Sequence, residues 1–164
     1  MFGFVSRDKL VKDDLRGIAQ LMYQDVSKDE WDQENLTKAN LDFSLESVRV
    51  IDRYAKKRLM NAEYDSDLLH NHFDNFVNRL GAYIGEVVRR QISQDYNWYE
   101  AVSVYKYSDN VDKESLDKKF PAVLYSKKKD KVISPLKVVS EFLRGSSPYP
   151  NLLRYAEEMI KGHS

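Results

Sequence analysis

Two carboxylates stand where acid–base chemistry would need them. Asp52 lies between Val48 and Ala55 in one apolar-striped segment. Glu86 lies in another, Leu80-Gly81-Ala82-Tyr83-Ile84-Gly85-Glu86-Val87-Val88-Arg89-Arg90. Two carboxyl groups facing one cleft divide into general acid and general base when their surroundings separate their pKa values. That predicts a small hydrolase using Asp52 and Glu86. The competing expectation is structural. Arg53 follows Asp52, and Arg89 and Arg90 follow Glu86 by three and four residues, the spacing at which a half-buried acid forms an ion pair.

Other catalytic chemistry finds less to work with. His70, His72 and Asp74 spell H-x-H-x-D, but on a helix His70 and Asp74 share a face that His72 leaves. A metal needs at least three converging ligands, so neither a metal site nor a cofactor is expected, and His163 reads as part of a frayed tail. Cysteine is absent, which excludes disulfides, Cys-ligated zinc, iron–sulfur clusters and thiol catalysis. The chain has no G-x-S-x-G elbow and no P-loop. Gly81 and Gly85 lie inside a helical pattern rather than after a strand, so they make no dinucleotide loop. At four-residue spacing they instead leave a shallow notch that a backbone or an aromatic ring can approach.

Binding chemistry is better represented. Asp25, Asp29, Glu30, Trp31, Asp32 and Glu34 crowd carboxylates around one indole. Either Trp31 packs back onto the core and the acids are solvated, or a large aromatic with a charged rim anchors a partner, as in interface hot spots. The second alternative makes these six residues the expected face for a protein partner. Lys127, Lys128 and Lys129 could touch phosphate, but lysines without interleaved aromatics are a weak nucleic-acid signal. At strand ends they also deter edge pairing. Lys+Arg and Asp+Glu are both 26, so bulk charge gives no case for nucleic acid or an anionic membrane. The balance is uneven: residues 61–118 carry 6 basic and 11 acidic side chains, and residues 119–164 carry 9 and 4. Internal complementarity explains this most simply; a dipolar field that steers a charged partner is the functional alternative.

These side chains must be positioned by elements legible in the pattern. With 164 residues, 42% hydrophobic and 32% charged, the chain suits a single globular domain over residues 1–164. No stretch approaches the roughly 20 apolar residues of a membrane span, and the apolar start of MFGFVSRDKL is too short for a signal peptide, so a cytoplasmic location is expected. Helical spacing of Val11, Leu15, Ile18, Ala19, Met22 and Val26 predicts a helix over Ser6–Ser27, capped by Ser6 and not ended by Gly17. Residues 24–40 read as a polar loop with one helical turn. A second helix is predicted over Ser44–Asn61, capped by Ser44, and a third over Ser66–Ile92. After Tyr96 the period changes, and Trp98 to Tyr107 reads as a strand. A polar loop follows over Ser108–Lys119. Phe120–Ser126 and Lys131–Ile133 then form a hairpin across the turn Lys127–Asp130. Ser134, Pro135 and Gly145 bracket a further helix, and Asn151 caps a last one ended by Gly162. Helices, then strands, then helices define an α+β fold: a helical N-terminal half, a small antiparallel three-stranded sheet and two C-terminal helices.

The stretch Leu80 to Arg90, followed by Trp98, resembles small uncharacterised bacterial families with an L-G-x-Y-x-G-E-x-x-R helix and a following tryptophan. Leu45-Glu46-Ser47-Val48 with Asp52, and the helix from Pro135 to Gly145, fit the same layout, so the resemblance covers residues 40–145. It marks Asp52, Gly81, Tyr83, Gly85, Glu86, Arg90 and Trp98 as a structural set and transfers no catalytic residue. Some such proteins resemble immunity proteins paired with secreted toxins. The resemblance therefore implies a non-enzymatic, protein-binding inhibitor that occludes a toxin's site. Residues 1–39 lie outside it, so the acidic segment rests on its own composition.

Overall fold

The computed structural model describes residues 9–62, 72–111 and 120–164. In chain order these form α1 (Leu15–Ala19), α2 (Leu21–Gln24), α3 (Glu30–Asn35), α4 (Val48–Ala62) and α5 (Phe73–Gln91). Then come β1 (Tyr96–Glu100), α6 (Ala101–Tyr107), β2 (Ala122–Ser126), β3 (Lys131–Ile133), α7 (Pro135–Leu143) and α8 (Leu152–His163). The class is α+β, with the sheet order β1-β2-β3 and both pairings antiparallel.

α5 is the axis of the molecule. Its apolar residues exceed one stripe, and every residue from Leu80 to Val88 is buried. A helix apolar all round must be covered all round, and α5 accordingly packs against α1, α7 and α8. Val48, Ile51 and Ala55 of α4 join that core as their spacing predicts, while Leu45 and Leu59 are partly buried against it. A smaller cluster of Tyr99, Ala101, Val104, Val123 and Tyr125 fills the space between the sheet and α6.

Four local expectations are corrected. The first helix begins at Leu15 and is split at Gln20. Val11 is drawn out of it, because its N–H donates to Ser103 Oγ at 3.0 Å and its carbonyl accepts the Glu100 N–H at 2.8 Å. Lys12 then bridges to Tyr99. Tertiary pairing thus overrides helical spacing, and the predicted cap Ser6 lies outside the described residues. Second, the predicted strand stops at Glu100, and Ala101–Tyr107 is helical. The apolar residues of this run, Ala101, Val104 and the half-buried Tyr107, fall on one helical face over the small cluster, while Val102 is exposed. Third, the polar segment holds a true helix, α3, whose N-cap Asp29 accepts the Asp32 N–H at 3.1 Å. Fourth, α8 continues through Gly162 to His163. The bracket around α7 is observed, with Pro135 in its first turn and Gly145 at φ 78° after its end, although the Ser134 side chain makes no capping bond. Asn151 does cap, its Oδ1 accepting the Arg154 N–H, whereas α4 begins at Val48 rather than Ser44, and Ser44 Oγ instead accepts the Ser47 N–H in the turn that leads into it.

Candidate functional site

The α5 motif assembles one side chain after another onto a different neighbour. A Cβ on Gly81 would fall against Leu136 of α7, and a Cβ on Gly85 against Cζ2 and Cη2 of Trp98, with Pro135 Cγ at 3.1 Å. Both positions are therefore glycine because another group occupies the space, which accounts for two poor helix formers inside the central helix. The same indole then donates from Nε1 to Glu86 Oε2 at 3.0 Å. Arg89 grips both oxygens of that carboxylate, at 2.6 and 3.2 Å. Arg90 and Arg16 stand further off, at 3.6 and 3.9 Å. The Glu86 side chain is wholly buried. Burial pushes its pKa up, but the bonds from Arg89 and Trp98 and the charges of Arg89 and Arg90 outweigh it and hold the carboxyl below the usual glutamate range.

Tyr83 reaches the opposite way. Its hydroxyl accepts the buried Phe43 N–H at 3.1 Å and lies 2.6 Å from Ser47 Oγ. Ser47 donates its own proton to the Ser44 carbonyl, so Tyr83 is the donor in that second bond. Burial leads in pushing the Tyr83 phenol up to about 12. Phe43 sits at a left-handed φ of 62°, a conformation that costs a non-glycine residue free energy. It is fixed there by that hydrogen bond, by stacking on Tyr83 at 4.8 Å between centroids, and by Arg90, whose guanidinium lies 3.8 Å from its ring centroid.

Asp52 does not meet Glu86, nor does it pair with Arg53 as expected. Its two oxygens accept the Leu152 and Leu153 N–H groups at 2.8 and 3.0 Å. It therefore caps the first turn of α8 from a distant part of the chain, while Asn151 caps the same turn locally. Burial outweighs those two bonds and lifts its carboxyl above the usual aspartate range. Asp52 borders a groove of about 340 Å³ with Met60, Phe142 and Pro150. A larger groove, about 740 Å³, lies between Phe73, Val77, Phe120 and Arg144. Glu86 lines neither. Asp52 and Glu86 share no partner, and all four of their oxygens are engaged by the protein itself.

The acidic segment is more built than either sequence alternative supposed. Trp31 packs on the core, stacked on Tyr54 with ring planes 7° apart and with the Lys57 ammonium 5.3 Å from its centroid. Asp32 is not solvated but buried, taking Lys57 Nζ at 2.8 Å and the Ser27 hydroxyl at 2.6 Å. Lys57 also bonds Asp29, and Arg79 pairs with Asp25. The Lys57 bond, followed by the Asp32 amide, holds the Asp29 carboxyl below its ordinary range. Glu30 and Glu34 alone among the six face solvent with no ion pair among the described residues. Lys57 is the residue of this site that the sequence does not single out, because only the fold brings it to Asp29 and Asp32.

His70 lies outside the described residues, and among those described no cluster of three or more His, Asp or Glu side chains could hold a metal ion. His163 is not frayed: its Nδ1 shares a 2.6 Å hydrogen bond with the Tyr96 hydroxyl. No described helix is long and apolar enough to cross a membrane. Comparison with protein-family models, curated proteins and solved structures gave no match.

Proposed function

We propose that the chain is a non-enzymatic protein-binding module, most sharply an immunity-type inhibitor that occludes a toxin's site, with the face around α3 meeting its partner. The observation that supports this is the Lys57 clamp. By tying Asp29 and Asp32 to α4, it holds a short acidic helix in place, with Glu30 and Glu34 exposed and Trp31 half-buried. Carboxylates presented in fixed geometry meet a basic cleft with little ordering cost, and they accelerate encounter. The contact acids on this reading are Glu30 and Glu34, because Asp25, Asp29 and Asp32 serve the fold.

The test is capture of a partner from native lysate, followed by association kinetics of a Glu30→Lys/Glu34→Lys double variant. Neither side chain takes part in the clamp, so the melting temperature is expected to hold. Association should slow several-fold at low salt and recover toward wild type at high salt. A partner that binds the double variant at the wild-type rate removes α3 from the interface.

A further inference from the structure

Four exposed lysines crown the β2–β3 hairpin: Lys127, Lys128 and Lys129 in the turn, and Lys131 opening β3. None of their side chains forms an ion pair among the described residues. The backbone beneath them is braced from two sides. On one side Ser126 and Asp95 hold the turn: Asp130 N–H donates to the Ser126 carbonyl at 2.8 Å and Lys129 N–H to Ser126 Oγ at 3.0 Å. Lys128 N–H reaches Asp95 Oδ2 at 3.3 Å, and the Ser126 hydroxyl donates to Asp95. On the other side, the Asp130 carboxylate accepts from Ser108 Oγ at 2.6 Å, Asn110 Nδ2 at 2.7 Å and the Tyr125 hydroxyl. Asp130 itself takes the left-handed φ of 52° that closes the turn. Asp95 and Asp130 are thus engaged in holding the turn, and although the Lys128 charge helps to hold the Asp95 carboxyl below the usual aspartate range, all four lysines remain exposed.

We infer that this hairpin tip binds the phosphodiester backbone of a nucleic acid. Protein interfaces are depleted in lysine and centre on buried Trp, Tyr or Arg anchors. This tip offers only lysine, and the adjoining side chains of Tyr125, Ser126 and Ile133 are buried. An ammonium is a compact point charge that suits a single phosphate oxygen, whereas planar carboxylate recognition favours the guanidinium fork. Among the described residues no exposed aromatic stands at the tip to stack on a base, so the contact is independent of sequence. The chain as a whole is neutral, so the attraction is local, weak and steeply salt-dependent. This surface does not involve α3, and the inference stands independently of the protein-binding reading.

The experiment is fluorescence anisotropy with a labelled duplex DNA and a matching single-stranded RNA, titrated from about 20 to 200 mM KCl, the range over which counterion release is legible. For three or four phosphate contacts the log–log salt slope on duplex DNA is expected near −3, at about −0.9 per contact. A Lys127→Gln/Lys128→Gln/Lys129→Gln variant should bind at least tenfold more weakly at the lowest salt. Its slope should flatten by two units or more, and its melting temperature should not change, because no lysine side chain joins the brace. Comparable DNA and RNA affinity supports plain backbone contact, and preference for either one identifies the source of the phosphate. The inference is overturned if neither nucleic acid binds at the lowest salt or if the triple variant binds like wild type. It is equally overturned if polyglutamate or phosphatidylserine vesicles bind more tightly than DNA through the same lysines.

Discussion

At the scale of the residue, α5 works by assigning each motif side chain a separate neighbour. The two glycines make this measurable, because they are not equivalent. At Gly81 the obstructing atom is the far end of Leu136, a flexible side chain, although its Cα also lies 3.1 Å away. At Gly85 it is the rigid six-membered edge of the Trp98 indole, whose Nε1 is tied to Glu86. Each Gly→Ala change gains about 1 kcal/mol of helix propensity. At Gly81 that gain should nearly offset a small rearrangement of Leu136, giving a net change within about 1 kcal/mol. At Gly85 overpacking should prevail and destabilise by about 1–3 kcal/mol net. Chemical denaturation of the two single variants checks the order; a Gly85→Ala protein as stable as Gly81→Ala would mean that the indole yields. The notch itself was legible in the sequence as two glycines four apart on a strong helix. Its occupants were not, since Trp98, Leu136 and Pro135 are brought there by the fold.

At the scale of the element, Asp52 shows how one side chain joins two helices a hundred residues apart. It satisfies two N–H groups of the first turn of α8 from the flank of α4, where a carboxylate also meets the positive end of the helix. Asp52→Asn keeps one acceptor and turns an amide NH2 toward the second N–H. It should cost about 1–2 kcal/mol, the scale of a lost cap, rather than the larger cost of breaking a buried ion pair. Amide hydrogen exchange should localise that loss to Leu152, Leu153 and the turn they begin. Uniform loss across the core would instead make Asp52 a packing residue. Element identity was legible wherever one periodicity acted alone, as in α4, α5, α7 and the β2–β3 hairpin. It failed where tertiary pairing competed with local pattern. Val11 left its helical stripe to bond with Glu100 and Ser103, and the β-rich run after Glu100 coiled because a helix lays Ala101, Val104 and Tyr107 on the small cluster. No local signal in either run reports the partner that decides its conformation.

At the scale of the whole molecule, the two carboxylates most suggestive of catalysis in the sequence are each bonded to a separate part of the fold, Asp52 to α8 and Glu86 to Trp98 and Arg89, and the exposed charges on α3 and at the hairpin tip lie elsewhere. Glu86 carries the strongest form of that claim, because its buried carboxylate links α5 to β1 through Trp98 and holds Arg89 beside it. Its carboxyl is held below the ordinary glutamate range by Arg89, Trp98 and Arg90. Its contribution to stability is therefore complete above that ordinary range and is lost as pH falls through the depressed folded one. The most direct measurement is the unfolding free energy of the wild type and of Glu86→Gln, taken by urea denaturation from neutral pH down into acid. The account predicts that the variant is less stable by about 3–5 kcal/mol at neutral pH, the cost of breaking a buried charge pair. It also predicts that this gap narrows once the pH drops below about 4, as the wild-type carboxylate takes up its proton. A Glu86→Gln protein as stable as wild type at neutral pH, or more stable, would contradict it, since a carboxylate kept at the expense of stability is the signature of a group held for chemistry rather than for the fold.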